Sequence, residues 1–69
     1  MKFVKRVKDF RVYELDEKEC RQHWRAYPCF VCWEEKPGTV NEDIGNMHFT
    51  ENESETLEEM TDWCEKNSY

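Results

Sequence analysis

The sequence predicts an α+β fold, in which a small antiparallel sheet of three to four strands has a C-terminal amphipathic helix packed on one face. Three segments support this prediction. Residues 2–15 are rich in Phe, Val and Tyr, residues 27–35 alternate apolar side chains, and residues 56–64 space apolar side chains as a helix does. A chain of 69 residues can bury one core, so we expect residues 1–69 to form a single small domain.

The first segment predicts a hairpin. No single two-residue repeat places all the apolar side chains of residues 2–15 on one face. Either a turn near Lys8 and Asp9 or a bulge in one long strand would resolve the conflict, and we favour two short strands.

Residues 17–24 are predicted to form a short helix or turn. Asp16 precedes Glu19 by three residues, which is the spacing of a helix capping box. This segment would carry Cys20, His23 and Trp24.

Residues 27–35 form the clearest strand of the chain. Both faces of this segment are apolar, which is typical of an interior strand, and Pro28 stands at its start, where a missing amide is least disruptive. One face would carry Tyr27, Cys29, Val31 and Trp33, and the other Phe30 and Cys32. A turn at Lys36, Pro37 and Gly38, a polar loop and a short strand over residues 47–50 should follow.

The C-terminal helix is predicted from its cap and its periodicity. Thr56 as N-cap and Glu59 three residues later form a second capping box. The apolar stripe consists of Leu57, Met60, Trp63 and Cys64. We expect it to cover a sheet face that includes some of Val12, Val31, Trp33 and Phe49.

The opposite side of this helix is acidic and is the predicted binding surface for a protein partner. Residues 1–12 hold five bases and one acid, whereas residues 34–69 hold eleven acids and two bases, within a net charge of −6. Such a surface favours a basic partner. The alternative is that the basic first strand and the acidic helix simply attract each other. The predicted binding residues are Glu55, Glu58, Glu59, Asp62 and Glu65.

The four cysteines have two interpretations. Because no secretory signal is recognisable, we interpret them as reduced cytoplasmic thiols that pack as small apolar groups. The alternative is a zinc site formed by Cys20, His23, Cys29 and Cys32. Strand geometry argues against zinc, because residues three apart in a strand point to opposite faces. We therefore expect no metal and no cofactor.

Other classes of function find little support. The two glycines, Gly38 and Gly45, cannot form a phosphate-binding loop, and no apolar run reaches the roughly 20 residues of a membrane span. Basic and aromatic residues alternate near the N-terminus, but the acids of the second half would repel nucleic acid.

We therefore predict a small, cytoplasmic, non-enzymatic interaction or regulatory protein, monomeric or homodimeric, that acts through protein–protein contacts. In general character the chain is similar to small bacterial and prophage-encoded proteins, although no specific motif carries that similarity. The first alternative is an acidic DNA mimic that inhibits a basic nucleic-acid-binding protein, and the second is a module stabilised by zinc.

Overall fold

The computed structural model describes residues 1–35 and 44–68 and shows the predicted α+β fold, with a helix packed on an antiparallel sheet. The sheet order is β1-β2-β3-β4, and every neighbouring pair is antiparallel. The strands are β1 (Lys2–Val7), β2 (Phe10–Leu15), β3 (Cys29–Glu34) and β4 (Asn52–Ser54). The α-helices are α1 (Glu17–Gln22) and α2 (Leu57–Asn67). Neither helix is long and apolar enough to cross a bilayer.

The predicted N-terminal hairpin is confirmed, and it contains a bulge as well as a turn. Lys8 and Asp9 connect the strands directly after the Val7–Phe10 pair. The register shifts between Phe3 and Lys5, which is the bulge. Both the turn and the bulge therefore change which side chains of residues 2–15 share a face.

The predicted short helix is also confirmed, together with its capping box. The Glu19 backbone N–H donates to Asp16 Oδ1 at 2.7 Å, and the Asp16 N–H donates to Glu19 Oε1 at 3.1 Å. The first of these bonds is the main reason that the pKa of Asp16 lies below its usual value. The helix ends at Gln22, two residues before the predicted end.

Strand β3 is the interior strand that the sequence predicts. It pairs with β2 on one side and β4 on the other, and Val31, Cys32 and Trp33 are almost completely buried on alternating faces. The strand begins at Cys29, so Tyr27 lies outside it and is 54% exposed.

The strand predicted over residues 47–50 is wrong. Met47–Phe49 is a 3-10 turn, capped by Asn46, whose side-chain oxygen accepts the His48 N–H at 3.0 Å. Asn favours such local hydrogen bonds over strand pairing. The segment that pairs with β3 is instead β4, at residues Asn52–Ser54. The turn predicted at residues 36–38 lies outside the described residues.

Two apolar clusters lie on the two faces of the sheet. One joins the sheet to α2 and consists of Val7, Phe10, Val12, Cys32, Met60 and Cys64. The other lies beneath α1 and the 3-10 turn and consists of Leu15, Cys20, Cys29, Val31 and Trp33. The sheet is therefore covered on both sides.

The sheet face beneath α2 includes one of the four residues from which it was predicted to be formed. Of the four sheet positions expected beneath the helix, Val12 is in the α2 cluster, whereas Val31 and Trp33 are in the opposite cluster. Because Val12 is paired with Cys32, the alternation of side chains puts the neighbours of Cys32 on the other face. Phe49 is 53% exposed. Trp63 is half-buried, with its ring edge-on to Phe10 at 5.3 Å between centroids.

We predict that Met60→Ala lowers the free energy of unfolding by about 2–5 kcal/mol, because Met60 is completely buried against the sheet. Met60→Leu keeps most of the side-chain volume and should cost less than about 1.5 kcal/mol. Urea unfolding followed by circular dichroism measures both. Equal, small losses for the two variants would show that α2 is not packed as described.

Candidate functional site

Four of the five predicted binding residues lie on α2, whereas Glu55 directly precedes the N-cap of the helix. Thr56 caps the helix, since its Oγ1 accepts the Glu59 N–H at 3.1 Å. This cap also places Glu58 and Glu59 in the first turn, where the positive end of the helix dipole favours carboxylates. The structure thus confirms the capped start of the helix. Of the predicted capping box, it shows the hydrogen bond to the Thr56 side chain.

All five predicted binding residues are exposed. We call this set the acidic face: Glu55, Glu58, Glu59, Asp62 and Glu65. The buried side chains of the helix are Met60 and Cys64, so the same helix turns its apolar stripe to the sheet and its carboxylates to solvent. The helix is therefore held firmly by one side while the other side stays available.

The ion pairs found among residues 1–35 and 44–68 involve other carboxylates. Glu19 pairs with the N-terminal ammonium group, Glu35 with two arginines and Glu53 with Arg25. Asp62 and Lys66 are four residues apart on α2, but they do not form one of these ion pairs. Within the described part of the chain, the acidic face thus keeps its charge unbalanced by ion pairs.

Two arginines of the basic first hairpin pair with Glu35. Arg11 Nε donates to Glu35 Oε2 at 2.9 Å, and Arg6 Nη1 lies 3.5 Å from the same oxygen. The Arg11 hydrogen bond is the main cause of the lowered pKa of Glu35. The Arg11 guanidinium also lies over the Phe3 ring, 5.5 Å from its centroid. These two arginines are therefore paired with a carboxylate outside the acidic face.

The four residues of the alternative zinc site do not come together. Cys20 and Cys29 lie in the cluster beneath α1, and Cys32 lies on the opposite face of the sheet beside Cys64. His23 is half-buried at the end of α1. Over residues 1–35 and 44–68, no group of three or more His, Cys, Asp or Glu side chains is arranged to hold a metal ion. As expected for residues three apart in a strand, Cys29 and Cys32 lie on opposite faces of the sheet.

The four cysteine thiols are buried, and burial lowers their reactivity. All four cysteines are free and at most 5% exposed. Burial raises the pKa of Cys29 to about 11 and raises the pKa of Cys32 further. A thiolate is the reactive form of cysteine, so these environments suppress both nucleophilic and redox reactivity.

A feature that the sequence does not reveal is the position of Trp24. Its side chain is 93% exposed, and its backbone is left-handed, with φ of 57°. It follows α1 in a Schellman motif, in which the Arg25 N–H donates to the Cys20 carbonyl at 2.7 Å and the Trp24 N–H to the Arg21 carbonyl at 3.4 Å. The sequence predicts helix through this position, and no glycine or asparagine marks the left-handed residue.

The comparisons with known proteins give no relative. No protein-family model, no curated protein and no solved structure matches the chain.

We predict that the native thiols react at least about 100-fold more slowly with iodoacetamide at pH 8 than the thiols of the urea-unfolded chain, because alkylation requires opening of the core. Intact mass spectrometry over time counts the modified cysteines, and free glutathione serves as the reference thiol. Rapid alkylation of Cys20 or Cys29 in the native protein would contradict the burial described.

Proposed function

We propose that this protein is a non-enzymatic, cytoplasmic interaction protein, which regulates a basic protein partner by binding it through the acidic face of α2. The observation that supports this proposal most is the combination of a packed helix with an outer side of exposed carboxylates, for which the described residues supply no salt-bridge partner.

The charge on this surface has an energetic cost that a basic partner would remove. Glu58 and Asp62 are four residues apart within α2, and like charges at this spacing destabilise a helix by about 0.2–0.5 kcal/mol per pair. Elsewhere in the described chain, Glu19, Glu35 and Glu53 are paired with cations. Lysine and arginine side chains of a partner would relieve the repulsion and gain Coulomb energy.

Charge also determines how such binding should behave. An exposed ion pair contributes only about 0–1 kcal/mol, so the acidic face serves to steer and orient the partner more than to supply affinity. Association with a basic surface should therefore be fast at low salt and weaken as salt screens the carboxylates. Apolar contacts at the edge of α2, where Trp63 is half-buried, could add affinity.

We predict that changing Glu58, Glu59 and Glu65 to Gln and Asp62 to Asn reduces the capture of partners that the wild-type protein binds by about 10-fold or more, because it removes four negative charges from the acidic face, each worth up to about 1 kcal/mol. The control variant removes the same charge elsewhere, by changing Glu14, Glu17, Glu34 and Glu51 to Gln. Quantitative mass spectrometry of proteins captured from the source cells compares the three chains at two salt concentrations.

The proposal requires a set of basic proteins that is strongly depleted with the acidic-face variant, retained with the control variant and reduced by salt. The same captured set for all three chains would refute it. Competition by duplex DNA for a captured DNA-binding protein would identify the DNA-mimic form of the function, and indifference to DNA would identify an ordinary protein–protein contact.

A further inference from the structure

The side of the sheet opposite α2 carries an exposed aromatic ring next to basic side chains. Phe3 is 48% exposed and lies edge-on to Tyr13, at 5.5 Å between ring centroids. Tyr13 packs against the cluster beneath α1, so Phe3 belongs to that side of the sheet. The Arg11 guanidinium lies over the Phe3 ring, and Arg6 shares the Glu35 carboxylate with Arg11. The first hairpin therefore presents one ring and two fixed guanidinium groups on this side.

A second exposed ring, that of Trp24, lies on the same side of the sheet. The indole is 93% exposed and lines a depression of about 520 Å³ together with Met47, which packs against the cluster beneath α1. No carboxylate is among the lining residues that the structure describes. Gly45 also lines the depression, and a Cβ at Gly45 would be 3.8 Å from the end of the Met1 side chain. The depression therefore adjoins Met1, two residues before Phe3.

The strained backbone positions of the described chain are also found here. Lys8 and Trp24 are its non-glycine residues with a left-handed backbone, with φ of 51° and 57°. Side chains other than those of Gly, Asn and Asp rarely adopt this conformation. Both side chains are exposed, so burial within the chain does not compensate for the strain. Strain of this kind clusters at ligand-binding sites.

The charge of the hairpin is opposite to that of the rest of the chain. Residues 1–12 hold five bases and one acid within a net charge of −6. Lys2, Lys5 and Lys8 take part in none of the ion pairs found among residues 1–35 and 44–68. The acids of the second half would repel nucleic acid, but α2, which carries four residues of the acidic face, lies on the other face of the sheet. The repulsion is therefore reduced on the side where Phe3 and Trp24 lie.

We propose that single-stranded nucleic acid binds on this side of the sheet. One base stacks on Phe3 and another on Trp24, and the phosphates lie against Arg6, Lys8 and Arg11. Every base has a flat aromatic face, so exposed rings beside basic side chains bind single strands without regard to sequence. Small-molecule sites bury most of their ligand, whereas the indole is almost fully exposed. A chain that makes several contacts along the surface therefore fits better than a free nucleotide.

Fluorescence anisotropy of a labelled oligothymidylate of about 12 nucleotides, a length that single-strand-binding domains typically cover, tests the proposal. At low salt the wild-type chain should bind it saturably below about 500 μM. A duplex of the same length should bind more weakly, because its bases are stacked on one another. Three phosphate contacts predict that binding weakens by about 20-fold between about 50 and 200 mM salt.

Ring variants test the stacking. Trp24→Gly and Phe3→Leu each remove one ring and should weaken binding by about 5- to 150-fold, the factor for one stacked base. Glycine accepts the left-handed backbone at position 24, and leucine keeps much of the apolar volume at position 3. Trp24→Phe and Phe3→Tyr retain a ring and should restore most of the affinity. Urea unfolding shows whether each variant is folded under the assay conditions.

A matched pair of charge variants tests the phosphate contacts. Lys8→Gln should reduce the slope of log K against log salt by about 0.7, the value for one phosphate of a single strand. Lys66→Gln removes the same charge from the last turn of α2 and should leave that slope unchanged.

The proposal would be overturned by a wild-type chain that does not bind the oligonucleotide saturably, or that binds duplex or thymidine monophosphate equally well. A folded Trp24→Gly or Phe3→Leu chain with wild-type affinity would also overturn it. The variant with four neutralised acids on α2 should bind the oligonucleotide at least as tightly as the wild type, because it carries less negative charge. The two proposals therefore succeed or fail separately.

Discussion

The packing of α2 on the sheet is the interaction on which the rest of the structure depends. Met60 and Cys64 lie against Val12 and Cys32, and the buried members of this cluster are at most 6% exposed. Because one side of the helix is committed to this contact, the opposite side must face solvent. The acidic face is therefore a consequence of the core, and any change that loosens the helix also disperses its carboxylates.

Small residues in β3 make a sheet covered on both faces possible in so short a chain. Cys32 meets Cys64 across the β3–α2 contact, and on the other side of the sheet Cys29 lies in the same cluster as Cys20. A thiol occupies little volume and tolerates complete burial, so the elements above and below the strand can approach closely. Trp33 is the largest fully buried side chain of the second cluster, and its Nε1–H donates to the Asn46 carbonyl at 3.0 Å.

Local signals made much of this fold predictable. The two helices were identified by side-chain caps that satisfy backbone amides within four residues, and β3 by apolar residues on both of its faces.

The face that each strand residue occupies was harder to predict, because it depends on the register with β2, to which β3 is not adjacent in sequence. For this reason Val31 and Trp33 stood beside Val12 as candidates for the face beneath α2, although they lie on the other side of the sheet. The 3-10 turn around His48 replaced a predicted strand because the Asn46 side chain caps it. The exposed, left-handed Trp24 has no sequence signal at all, whereas the acidic face could be predicted from helical periodicity.

Amide hydrogen exchange measured by NMR can establish whether α2 is an integral part of the core and holds its carboxylates outward. The amides of Met60 and Cys64 should exchange with the same opening free energy as those of Val31 and Cys32, and this value should equal the free energy of global unfolding, as expected for one cooperative unit. If the α2 amides exchange through openings of much lower free energy while β3 stays protected, the helix is not held by the sheet as described, and the rigid acidic surface derived from that packing does not exist.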